Sequence, residues 1–207
     1  MMPIHNDGMI RLIIFDIGDV LEHFNEEMYI SYICHKLHIN MRDFTDYFLR
    51  LLERAEAERM TNREMLGRIS KRFGVSVSSL EWGSSLRRMA RVNKNIVGLA
   101  NALGRKYKVV LLSNVSRSRY LQNRRIELFR ILRYDRLFAS CYMHMRKPEH
   151  RIYRHVLREM RVRPEEAVFI DDRLENVQGA DEVGINGIHF TGYGNLVMDL
   201  RELGVRW

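Results

Sequence analysis

Residues 11–16 read RLIIFD, four consecutive apolar side chains followed by a carboxylate, with Gly18 two positions on. A short apolar run that does not alternate suits a strand covered on both faces, as in a parallel sheet. The glycine predicts a turn, which leaves Asp16 at the carboxyl end of the strand. Two later runs share this design. Val109–Leu112 is followed by Ser113-Asn114, and Ala167–Ile170 by Asp171-Asp172. Helices are predicted over 96–103, in a stretch running to about 132, and over 150–160, 176–183 and 195–203. Weaker strands are predicted over 139–143 and 188–190. Strand and helix therefore alternate, which predicts an α/β fold with a doubly wound parallel sheet.

Residues 25–92 break that alternation. The stretch is rich in Met, Leu, Tyr and charge, with helical spacing and no convincing strand. Met28, Tyr32 and Cys34-His35 are expected near one face of its first helix. Phe44, Tyr47, Phe48 and Leu51 recur at i, i+3, i+4 and i+7, an amphipathic stripe. Thr61-Asn-Arg-Glu64 is a capping box that starts a helix running to Phe73, and Gly74 ends it. We read this stretch as a helical insert, its apolar stripe as packing. The same default covers Tyr29, Phe44, Tyr47 and Trp82, each of which is otherwise a candidate to reach a substrate.

Composition narrows the class. The 207 residues, 46% of them hydrophobic, suffice for one large domain or a domain carrying an insert. No apolar run approaches the roughly 20 residues that a membrane span needs. The first residues lack the apolar stretch of a secretory signal. Met9 directly precedes the first strand, so residues 1–8 are expected to be a loose extension. Two cysteines, Cys34 and Cys141, make neither a disulfide framework nor a metal cluster, and a reducing cytoplasm fits them best. The net charge of +8 is mostly arginine, with local clusters at 87, 88, 91 and at 117, 119, 124, 125. These lack the interleaved aromatics that base stacking wants, which argues against nucleic acid. A solvated basic surface, or a funnel for a small anionic substrate, fits better. Nothing in the pattern specifies an oligomeric state.

Three strands thus present polar groups at one sheet edge: Asp16, Ser113 and Asp171-Asp172. Ligands of open α/β sheets bind at that edge, where the strand order reverses. Capping would explain one such residue. Three of them, with Lys147 before Pro148, ask for chemistry.

In this order the motifs Asp16-Ile-Gly-Asp-Val20, Leu112-Ser113-Asn114, Lys147-Pro148 and Ile170-Asp171-Asp172 with Asn176 resemble those of the haloacid dehalogenase-like (HAD) hydrolases. The resemblance runs from about Met9 to Leu203, and Phe169–Ala180 (FIDDRLENVQGA) is its strongest piece. It implies a Rossmann-like core over 9–21 and 94–207, with a small helical cap over 22–93 between the first two motifs. The subgroup with such caps includes sugar-phosphate phosphatases and haloacid dehalogenases. The implied activity is Mg²⁺-dependent hydrolysis of a small phosphorylated metabolite, such as a sugar phosphate.

The physical roles follow from residue type. Asp16 is the carboxylate nucleophile, a route to an aspartyl-phosphate. A phosphate dianion repels a carboxylate, so cations must offset that charge. Mg²⁺ takes hard oxygen ligands, here the Asp16 carboxylate, the Gly18 carbonyl and Asp172. Asp171 is a further ligand through water or an acid behind the ligands. Asn176, one helical turn on, orients a metal-bound water. Lys147 adds a point charge on the transferring oxygens. Ser113, Asn114 and the amides of Ile17 and Gly18 contact the same group.

One position departs from the pattern. Most phosphatases of this family carry an aspartate two residues after the nucleophile, as leaving-group acid and then as base. Here that position is Gly18. Its carbonyl still serves a metal, but the carboxylate is missing, and such help is worth about 10²–10⁴ in rate. A good leaving group is therefore expected: a sugar 1-phosphate, an acyl phosphate or an aryl phosphate. Asp19, Glu22 and His23, in the segment after the nucleophile, are candidates to supply the proton, or are exposed loop residues. Two alternatives remain at this point. One is a metal-independent dehalogenase, which the paired acids disfavour. The other is a catalytically silent binding protein, which Gly18 favours.

Overall fold

The computed structural model describes residues 9–77, 90–123 and 127–207. Residues 1–8, Trp82 and the arginines at 87, 88, 124 and 125 lie outside them. A five-stranded, wholly parallel sheet organises the chain, in the order β5-β4-β1-β6-β7. Its strands are β1 (Leu12–Phe15), β4 (Lys108–Ser113), β5 (Arg136–Ala139), β6 (Ala167–Asp171) and β7 (Asn186–His189).

The apolar runs explain the layering. Successive strand residues point to opposite faces. Ile13, Phe15, Val109, Leu111, Val168 and Ile170 feed one core. Leu12, Ile14, Val110, Leu112, Ala167 and Phe169 feed the other. Helices α4 (Lys94–Leu103), α6 (Leu128–Ile131) and α10 (Tyr193–Glu202) cover the first face. Helices α8 (His150–Met160) and α9 (Leu174–Asp181) cover the second. The chain runs outward from β1 to β4 and β5, then returns to the other side of β1 at β6. The strand order reverses between β1 and β6, and both of these strands end in carboxylates.

The insert packs α1 (Glu26–Leu37), α2 (Met41–Glu56) and α3 (Asn62–Phe73) around an apolar cluster of their own. Asn25, Asn40 and Thr61 cap the three N-termini with their side chains, which satisfies amide groups left free by the helix. The capping box at Thr61 and Glu64 forms, and Gly74 closes α3 at φ 67°. Phe44 stacks on Phe48 at 5.4 Å between centroids, and Tyr47 meets Phe73 edge-on at 5.8 Å.

Three expectations need correction. Met28, Tyr32 and His35 do share one face of α1, the exposed one, but Cys34 turns to the buried face with Tyr29, Ile30 and Ile33. The insert is not free of strands. β2 (Glu22–Phe24) and β3 (Ala90–Val92) pair antiparallel at its base, and three residues are too few to show a period. The strand expected over 139–143 ends at Ala139, and α7 (Ser140–Met143) follows, its Ser140 hydroxyl accepting from the Val115 amide at 2.9 Å.

Ionic and polar contacts fasten the insert to the core. Glu58 pairs with Arg117 at 3.3 Å and His144 at 3.6 Å. Arg146 reaches Glu56 at 3.3 Å and Glu53 at 3.7 Å. The Ser140 hydroxyl donates to the Glu56 carbonyl at 2.7 Å.

Candidate active site

Asp16 follows β1, and its amide donates to the Ile170 carbonyl of β6 at 2.9 Å. The tight loop after it is closed by Leu21 and Glu22 amides donating to the Ile17 carbonyl, and by the Asp19 amide donating to Glu22. Asp19 adopts φ 51°, a conformation that short polar residues tolerate, and its carboxylate accepts from the Phe24 amide at 3.1 Å.

Lys147 sits at the centre of the site. Its ammonium donates to Asp16 Oδ1 at 2.5 Å and to Asp171 Oδ2 at 2.6 Å. The side chain is 1% exposed, which only paired charges tolerate. Asn114 holds this lysine by its backbone. The Asn114 amide donates to the Lys147 carbonyl and accepts from the Lys147 amide, both at 2.9 Å. Asp171 is fully committed. Its Oδ1 accepts from the Arg173 amide and the Asn176 side chain, each at 2.9 Å. The Tyr153 hydroxyl in turn donates to the Asn176 carbonyl at 2.7 Å. Ser113 ends β4 on the same cavity, with Ile17, Gly18 and Asp172.

The structure brings Asp16, Ile17, Gly18, Ser113, Asn114, Lys147, Asp172 and Asn176 to one pocket together with Asp19 and Glu22, while Asp171 lies fully buried behind it and His23, Tyr29, Phe44 and Tyr47 are not among its walls. Carboxylate oxygens of Asp16, Asp171 and Asp172 lie within 4.8 Å of one another. Burial pushes the Asp16 carboxyl up against the pull of Lys147, and Asp171 adds to the push. Asp172 is pushed up to about 6, first by burial and then by the charges of Asp171 and Asp19. At Lys147 burial works against the charge, yet Asp16 and Asp171 outweigh it and raise the ammonium's pKa. An all-oxygen donor set with crowded carboxyls fits a hard divalent cation, which would relieve the repulsion.

Of the three residues after the nucleophile considered as proton carriers, the structure separates one. His23 is exposed and lies 3.9 Å from Asp19. Glu22 is 4% exposed and lines the cavity. Burial pushes its carboxyl up, opposed by Arg119. Sequence reasoning missed Arg119, Arg146 and Tyr153. Arg119 carried two weak signals, its place six residues past the end-of-strand Ser113 and its membership of an arginine cluster.

Support for Lys147 depends on close packing behind it. A Cβ on Gly179 of α9 would lie 2.6 Å from the Pro148 carbonyl oxygen and 2.9 Å from its Cβ. Gly179→Ala is expected to destabilise the protein by about 1–3 kcal/mol through overpacking. It should also lower turnover by displacing the Lys147-Pro148 segment. Thermal unfolding and steady-state kinetics on the same preparation check both.

A family model described as haloacid dehalogenase-like hydrolase matches residues 10–184. The chain belongs to the HAD-like hydrolases. A sesquiterpene phosphatase of Aspergillus oryzae is 43% identical over 70 residues, 34% of this chain and 36% of that protein. A flavin mononucleotide hydrolase of Arabidopsis thaliana is 40% identical over 68 residues, 33% of this chain and 28% of that protein. The chain thus spans only about a third of the length of these curated relatives. Among solved structures, a HAD-like hydrolase from Porphyromonas gingivalis superposes with a TM-score of 0.78 at 24% identity, over 97% of this chain and 100% of that one. A HAD family enzyme of Bacteroides thetaiotaomicron, solved as its magnesium complex, gives 0.74 at 26% identity, over 87% and 92%. This HAD hydrolase has, among its described residues, no helix long and apolar enough to cross a membrane.

Proposed function

We propose that the chain is a Mg²⁺-dependent phosphatase of a small phosphorylated metabolite, acting through an aspartyl-phosphate on Asp16. The observation that carries this reading is the buried Lys147 bonded at once to Asp16 and Asp171, with Asp172 beside them. It is a cationic cradle for an oxyanion next to a carboxylate nucleophile. Relatives named as a phosphatase and a flavin mononucleotide hydrolase support ester hydrolysis. The magnesium complex of the B. thetaiotaomicron enzyme supports the metal. Asp16, Asp172 and the Gly18 carbonyl would hold the ion, which supplies charge neutralisation at the transferring phosphoryl group.

The Asp16 carboxylate attacks phosphorus, and the bond to the ester oxygen breaks with its electron pair leaving on that oxygen, which takes a proton from solvent to become the alcohol. Water then attacks the phosphorus, the bond to Asp16 breaks, and inorganic phosphate leaves with the water's oxygen. Lys147, the Ser113 hydroxyl and the Ile17 and Gly18 amides meet the phosphoryl oxygens. Asn176 orients the water, and Asn114 holds Lys147. The helical insert, with boundaries near 22 and 93, serves as a cap that excludes bulk water.

Gly18 leaves the alcohol without the usual acid, so a good leaving group such as a sugar 1-phosphate suits this site. A Cβ at Gly18 would meet only Asp16 Oδ2, at an ordinary 3.6 Å, so the missing carboxylate is not a steric necessity. A panel of phosphate esters assayed with Mg²⁺ and with chelator tests the reading, and turnover should require the metal. Gly18→Asp is expected to raise turnover of simple alkyl phosphates by about 10- to 100-fold, the lower part of the range for acid–base help. Metal-independent chloride release from 2-chloropropionate, with inert phosphate esters, would overturn the phosphatase reading.

A further inference from the structure

Two side-chain polar atoms among the described residues are buried without a hydrogen-bond partner: Glu22 Oε2 and Arg146 Nε. Both residues line the cavity over Asp16. Buried polar atoms in native proteins are nearly always paired, so two orphans on residues that wall one cavity ask for a ligand. Arg119 lines the same wall. Its guanidinium lies 4.3 Å over the Phe24 ring and, among the described residues, within ion-pair distance of no carboxylate. In β2, Glu22 and Phe24 share one face and His23 takes the other, which sets the Glu22 carboxylate against the cavity rather than solvent.

We infer that Glu22, Arg119 and Arg146 form a subsite that recognises the hydroxyl groups of a neutral, polyhydroxylated leaving group. The inference rests on the phosphatase reading and assigns these three residues to specificity. A hydroxyl both donates and accepts, so one diol satisfies the carboxylate and a guanidinium together. An ammonium-bearing alcohol would meet Arg119 and Arg146, and a second anion would meet Glu22, Glu53 and Glu56 on the same wall. An apolar alcohol would leave both orphans unpaired and desolvated, which is the costliest outcome for a buried polar atom.

Space decides the same way. The polar cavity measures about 390 Å³, within the range of small-ligand sites. The apolar recess beside it, walled by Phe24, Tyr29, Phe48, Leu52 and Met65, measures about 20 Å³. That recess holds no isoprenoid chain or flavin ring. An isoprenoid or flavin leaving group would therefore have to lie against the polar walls of the main cavity.

The test uses the full chain with Mg²⁺ and five probes: glucose 1-phosphate, fructose 1-phosphate, phenyl phosphate, farnesyl phosphate and flavin mononucleotide. The better sugar phosphate should exceed farnesyl phosphate and flavin mononucleotide in kcat/KM by about tenfold or more. Glu22→Leu should lower kcat/KM for that sugar by about 10- to 100-fold, mainly through KM. Its loss on phenyl phosphate should be about tenfold smaller. Glu22→Gln keeps an acceptor and should recover part of the loss, and Arg119→Met should follow Glu22→Leu. Equal losses on sugar and phenyl esters, or a preference for the farnesyl or flavin ester, would overturn the subsite and leave the phosphatase reading intact. A wild-type protein inert on all five probes would overturn both.

Discussion

Asparagine at position 16 is expected to lower phosphate-ester turnover by about 10⁴-fold or more while leaving the protein folded. Loss of a covalent nucleophile has effects of that order or larger, because the residual rate comes only from binding and electrostatics. The amide keeps the shape of the carboxylate but cannot form the acyl phosphate. Lys147 retains its 2.6 Å bond to Asp171, so its charge stays paired. Acid quench of the wild-type protein during turnover, followed by peptide mass analysis, should find a phosphoryl group on the peptide holding Asp16, and none in the variant. A phosphorylated peptide elsewhere, or turnover within tenfold of wild type, would remove Asp16 from the chemistry.

Lys147→Met is expected to damage both activity and folding, and this pairing distinguishes it from Asp16→Asn. The ammonium separates two carboxylates that lie inside the protein, 7% and 0% exposed. Breaking a buried ion pair by removing one partner typically costs about 3–5 kcal/mol. For a chain of this size that corresponds to a fall in Tm of roughly 6–20 °C. The sign of the pH dependence follows from Asp16. Its carboxyl is already pushed up by burial, and loss of Lys147 removes the largest opposing influence. A raised folded-state pKa means that the native state holds more protons than the unfolded state, so stability falls as pH rises. The deficit of Lys147→Met relative to wild type should therefore be smaller near pH 5 than near pH 7.5. A Tm difference that is small at both values would mean that the lysine does not compensate the two acids.

The sheet and its edge chemistry were legible because β1, β4 and β6 are unbroken apolar runs that end in polar residues. Each run is buried on both faces, so no register ambiguity hides it. Thr61 with Glu64, and Gly74, announced α3 through local chemistry alone. Other features depend on distant residues and leave no local mark. β2 and β3 are three residues each and exist because Glu22–Phe24 meets Ala90–Val92 across the insert. Ser140–Met143 was read as strand because an apolar stretch of that length fits either form. Asn114 looked like a residue for substrate, yet its side chain clamps the backbone of Lys147, 33 positions away. Glu22 was open to two readings, a proton carrier or an exposed loop acid, and its burial to 4% exposure comes from packing that its own segment does not announce. Arg119 belonged to an arginine cluster that composition alone assigns to the surface.

The seam between insert and core has a polarity of its own. Glu53, Glu56 and Glu58 stand on the insert side, against Arg146, Arg117 and His144 on the core side. Such a boundary is keyed, so the insert is no interchangeable cartridge. A foreign insert grafted without acids at those three places would strand Arg146, already the most enclosed of these cations, beside the reacting group. Evolution of new selectivity on this scaffold is thereby steered toward changes within the existing helices, with exchange of the whole module open only to pairs of segments that alter together.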